Sequence, residues 1–156
     1  MPPTLQDILI PGVCGSLPRG HTYISPDGIA EFQRLAHAAA RGLRAKRLDF
    51  HGIDRRSFIA QTIQPPLGPP LHILRHTIHP FIAAATSLDF LRVSFTSSQP
   101  LLPYFPAPHL VIPQELLELP LTPEAIKPLA TSKADITDIR HWRPSRVGDL
   151  DFNHYD

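Results

Sequence analysis

Three histidines, His72, His76 and His79, lie at spacings of four and three residues between the Pro69-Pro70 pair and Pro80. On a helix these positions share one stripe, and two imidazoles a turn apart can address one metal ion. The whole stripe covers ~10 Å of axis at about 1.5 Å per residue, so one ion could not gather all three. A complete site would need a ligand from elsewhere. His37, His51, Asp54, His109, His141 and Asp149 are the candidates. The chemistry on offer is a divalent metal acting as Lewis acid, or a histidine acting as general base. No HExxH motif supplies the glutamate base of a metalloprotease. The opposing reading makes all three boundary histidines of ordinary, intermediate burial.

The C-terminal stretch is the second concentration of reactive types. Asp149, Asp151 and Asn153 copy the first three ligand positions of an EF-hand loop. The copy breaks at His154, where the sharp turn needs glycine. Read as a strand, the same stretch turns Leu150 and Phe152 inward and shows Asp149 and Asp151 to solvent. Trp142 and Arg143 precede it, and such residues dominate interface energetics. A structural alternative has Trp142 anchoring the last segment while Arg143 pairs with an aspartate. Tyr104 and Phe105, set among Pro100, Pro103, Pro106 and Pro108, form an apolar loop that either packs under the sheet or contacts a partner. The expected partner-binding set is therefore Tyr104, Phe105, Trp142, Arg143, Asp149 and Asp151.

Other chemistry finds less support. Cys14 lies between Gly12 and Gly15, which permit a turn that would expose a thiol, but spacing selects none of the nine histidines as its base. GxSxG, Walker A and GxGxxG loops are absent. Arg34, Arg41, Arg44 and Arg47, continued by Arg55 and Arg56, make a basic face without interleaved aromatics, so a solvated surface is expected.

The elements that must position these residues begin with a helix over about residues 26–47. Ser25 is its N-cap and Pro26 its first residue. Ile29, Phe32, Leu35, Ala36, Ala39 and Leu43 share a face, and Gly42 interrupts it. A second helix is favoured over residues 54–63, capped by Asp54. A third, opened by Pro70 and ended by Pro80, carries the histidine stripe. Leu88 to Thr96 alternates as a strand. His109 to Ile112 is a short edge strand fenced by Pro108 and Pro113. Short helices are expected over 113–119 and 123–130, and a strand over 135–142. The chain beyond Arg143 reads as irregular.

These elements lack the βαβ rhythm of a doubly wound fold. The class expected is α+β: one amphipathic N-terminal helix plus short helices on a small mixed or antiparallel sheet. Residues 1–156 read as a single compact domain. The chain has 19 prolines, so elements should be short and connections stiff. A net charge of +1 does not announce a nucleic-acid binder, and that partner is not expected. No secretory signal, lipidation motif or membrane-spanning run is visible, and one cysteine forms no internal disulfide. A cytoplasmic protein without a membrane partner is expected.

The function favoured is a small soluble protein-binding module, such as an inhibitor or immunity-type neutraliser, without a cofactor. The alternatives are a histidine- or metal-dependent enzyme using the His72/His76/His79 stripe, with a divalent metal, and an oligomeric scaffold.

Overall fold

The computed structural model describes residues 2–17, 20–52, 57–89 and 92–154. Readings that fall on Asp54, Arg55, Arg56 and Leu91 lie outside them. A short helix α1 (Leu5–Ile8) comes first, capped by Thr4 and Asp7. The long amphipathic helix α2 (Pro26–Gly42) follows, so the expected single N-terminal helix is neither first nor alone. Ser25 Oγ accepts from Gly28 N at 3.1 Å, and Pro26 opens the helix, as the sequence indicated. Phe32, Leu35, Ala36, Ala39 and Ala40 are its buried stripe. Burying one such large apolar side chain contributes roughly 1.5–3 kcal/mol.

The helix stops five residues before the expected end, where Leu43 caps it and Arg44 turns left-handed at a φ of 54°. A Cβ at Gly42 would lie 1.7 Å from Tyr104 Oη, so only glycine lets the ring close over the helix end. Lys46 to Arg47, expected to be helical, instead opens β1 (Lys46–His51). The sheet continues with β2 (Phe58–Gln64), β3 (Leu71–His76), β4 (Phe81–Leu88), β5 (Val93–Phe95) and β6 (Leu110–Val111). Strands β1 to β5 form an antiparallel meander in chain order. β6 pairs parallel with the start of β4, while β5 holds its far half. The fold is thus α+β with a mixed six-stranded sheet.

Both faces of this sheet are covered. Ile59, Ile63, Ile73, Ile82 and Ala84 pack beneath α2 and the 3-10 turn Gln99–Tyr104, with Phe32, Leu101 and Phe105. Phe58, Ala60, Leu74, Phe81, Ala83 and Phe95 pack with Ile8, Val13, Leu117, Leu150 and Phe152 on the other side. That second layer comes from the N-terminal turn, α3 (Gln114–Leu117), α4 (Lys133–Trp142) and α5 (Val147–Asp151). A Cβ at Gly148 would meet the Phe95 ring at 2.2 Å, so α5 sits directly on the sheet. At the β5 edge, Arg146 Nη2 donates to Val93 O at 2.8 Å and Gln114 Nε2 to Phe95 O at 3.2 Å. Side chains thereby occupy carbonyls that would otherwise template another strand.

Three expected helices and strands change type. The second expected helix is β2 and the histidine-bearing third is β3, each buried on both faces. Strands covered on both sides lose the apolar–polar alternation that would distinguish them from helices. The expected strand over 135–142 lies within α4, where Ile136 and Ile139 keep their helical spacing of three. The supposed irregular tail holds α5.

Candidate functional site

Because β3 is a strand, His72 and His76 still share a face, but four strand residues separate them by roughly 13 Å at ~3.3 Å each. One metal ion cannot bridge that span. His72 lies opposite Thr62 in the ladder, its Nδ1 2.7 Å from Thr62 Oγ1. Its pKa is lowered by burial, with His51 adding to the effect.

His76 is fully buried at the end of β3. Its Nε2–H donates to Val13 O at 2.8 Å, while Nδ1 accepts from the amides of Ile78 and His79, each at 3.1 Å. Those partners fix a neutral imidazole with its proton on Nε2. Burial pushes the pKa down to about 3, against the Val13 hydrogen bond and with the help of His79 and Arg75. His79 stacks on it, ring centres 5.6 Å apart, and donates from Nε2 to Pro11 O at 2.7 Å. Burial also lowers the pKa of His79.

The two imidazoles hold one side of the turn over residues 11–14, and Asp135 holds the other. Its carboxylate accepts from Gly12 N at 2.9 Å, from Cys14 N at 3.1 Å and from the Ser132 hydroxyl. Asn153 Nδ2 completes the set by donating to Cys14 O at 3.1 Å. Backbone groups of Pro11, Gly12, Val13 and Cys14 are each bonded by a side chain from β3, the following turn, α4 or the C-terminal segment. Buried backbone groups need such partners, since a lost one costs about 1–3 kcal/mol. Ser57 extends the clamp: its hydroxyl donates to Asp151 O at 2.7 Å and accepts from Asn153 N at 2.8 Å. Cys14 is buried within this clamp, and burial, then Asp135, raises its pKa, so the thiol stays protonated.

The expected partner-binding residues are not brought together. Phe105 is in the core beside Phe32 and Tyr104 is half-buried over Gly42, both on the α2 side. Trp142 is 41% exposed at the end of α4, against His141, and Arg143 follows it with a left-handed φ of 49°. Asp149 pairs with Arg146 at 2.6 Å and with Arg92 at 3.6 Å. Burial alone would raise its pKa, but the hydrogen bonds and charge of Arg146, aided by Arg92, hold it low. Asp151 corrects the sequence reading most sharply. It is buried rather than exposed, both carboxyl oxygens lack a hydrogen-bond partner, and burial raises its pKa well above the usual value. The signal was present: Val147, Leu150 and Asp151 lie three and four residues apart, on one helical stripe. Asp149, Asp151 and Asn153 accordingly bind no common point. Among the described residues no group of three or more His, Cys, Asp or Glu side chains could hold a metal ion.

Sequence reasoning missed a cleft. It has a volume of about 400 Å³ beside β6 and is walled by Leu102, Phe105, His109, Leu110, Val111 and Pro113. Ser97, Gln99, Gln114 and Glu115 supply polar groups, and Pro2 and Pro3 reach it from the N-terminal segment. Among the described residues no helix is long and apolar enough to cross a membrane. No family model matches the chain, and searches of curated proteins and of solved structures returned no match.

Proposed function

We propose that the chain is a non-catalytic binding module for a protein partner, of the inhibitor or immunity type, and that the cleft beside β6 receives an apolar side chain of that partner. The observation that carries this reading is the cleft's wall. Leu102 stands 48% exposed on a turn bounded by Pro100, Pro103, Pro106 and Pro108, with Phe105 fixed in the core beneath it. A rim held by prolines loses little conformational entropy when a partner docks. Apolar walls with a few polar groups are the usual composition of a binding cleft.

The use of the imidazoles supports the same reading. A metal-dependent enzyme built on His76 would have to release either the Val13 carbonyl from Nε2 or the amides of residues 78 and 79 from Nδ1. Tagged protein isolated from its native host, read by mass spectrometry, tests the proposal with Leu102→Asp as the control. A stoichiometric protein partner recovered by the parent chain and lost with the variant, at an unchanged melting temperature, is the expected result. Equal recovery by both chains would overturn the choice of surface, and no stoichiometric partner would overturn the function.

A further inference from the structure

A second cleft, of about 300 Å³, opens between the C-terminal turn of α2 and the start of β1, at the sheet edge opposite β5. His37, Ala40, Arg41, Ala45 and Arg47 line it. His37 and Arg41 are four residues apart on α2 and so share a helix face. Arg47 reaches in from β1, its Nη1 2.8 Å from Nε2 and 3.0 Å from Nδ1 of His37. Among the described residues no carboxylate lines the cleft. Among the described residues both ion pairs use Asp149, and none involves Arg41, Arg44, Lys46 or Arg47.

Helix-dipole complementarity accounts for Arg41, which sits in the last turn of α2. It does not account for Arg47. That side chain is exposed on an edge strand and could extend into water, yet its Nη1 lies against the His37 ring and it lines the same cleft as Arg41. The helix end offers it little bare negative charge, because Ala39 O, Ala40 O and Arg41 O already accept from the amides of Leu43, Ala45 and Arg44. Arg44 itself takes a left-handed φ of 54° at a position where helices usually place glycine. The cluster is therefore cationic, lines one cleft and has no counterion among the described residues. Guanidinium groups bind phosphate oxygens through paired N–H donors, which suits two arginines facing one small cleft.

We propose that this cleft is a binding site for a single phosphate-type oxyanion, held by Arg41 and Arg47 with His37 as a third donor. The site is independent of the cleft beside β6. The same chemistry is offered by free phosphate and by a phosphorylated side chain, and the test separates them.

The His37 ring and the backbone amides are followed by NMR while inorganic phosphate is titrated in, against sodium chloride at matched ionic strength. Burial, then Arg47 and Arg41, lowers the free His37 pKa, so a bound dianion should raise it. A saturable shift centred on residues 37, 41 and 47, a raised His37 pKa, and loss of both in Arg41→Ala and Arg47→Ala are the expected results. An equal response to chloride, or a response surviving both variants, would overturn the proposal. A phosphoserine peptide binding about tenfold tighter than inorganic phosphate identifies a modified protein as the source, whereas equal affinity identifies the free anion.

Discussion

Acidification isolates what His76 does. Its imidazole is neutral in the fold, with a pKa near 3, against an ordinary value of 6.5 in the unfolded chain. Between those values the unfolded chain binds one more proton than the folded chain, so stability falls as pH falls. The contribution is fully present above 6.5 and is lost progressively toward 3. One such group costs up to about 1.4 kcal/mol per pH unit, hence roughly 2–3 kcal/mol between pH 7 and pH 4.5. That is a large share of a typical stability of about 5–15 kcal/mol. His79 and His72, both lowered, add with the same sign. Asp151, raised, opposes them. Comparison with His76→Gln removes these shared terms, because a glutamine amide can still donate toward Val13 O but does not titrate. Urea unfolding of both chains at pH 7, 6, 5 and 4.5 gives the difference. The variant should start less stable, by about 1–3 kcal/mol for the unpaired amides of residues 78 and 79, and the gap should close on acidification. Parallel losses in the two chains would refute the reasoning, since His76 would then titrate as an exposed ring does.

Other consequences follow from the same network. Asp151→Leu removes a buried carboxyl without a partner, so it should stabilise the fold by about 1–3 kcal/mol in thermal or urea unfolding at pH 7. The gain should grow as pH rises, because a raised folded pKa gives stability that is present below 3.8 and lost on the way up to that pKa. Asp135→Asn replaces a carboxylate that accepts from two amides, and should cost about 2–3 kcal/mol. It should also speed labelling of Cys14 by a thiol reagent, which is slow while the turn over 11–14 is clamped.

Legibility followed the physics of burial. The start of α2 was readable because one face is solvated, and Ser25 and Pro26 are local signals. β2 and β3 were misread because Ile59, Ile63 and Ile73 face one layer while Ala60 and Leu74 face the other, leaving no alternation to see. Their β-branched residues were the better clue. β4 was missed for a related reason: Ala83, Ala84 and Ala85 look helical, yet small residues let both covering layers approach a central strand. The candidate site was legible only in part. The sequence singled out His76 and His79, but their carbonyl partners lie more than sixty positions away in the chain and leave no local trace. The cleft beside β6 joins the N-terminal segment to residues 97–115, which spacing alone does not encode, whereas the cleft lined by residues 37–47 needs only the turn between α2 and β1.

The imidazoles of His76 and His79 serve the backbone of residues 11–14. Long-range proton–nitrogen NMR of the two rings during a zinc titration at pH 7 tests that role most directly. The expected spectrum shows both rings protonated on Nε2 and unmoved by stoichiometric zinc. A ring nitrogen that shifts on binding one equivalent of metal would contradict it.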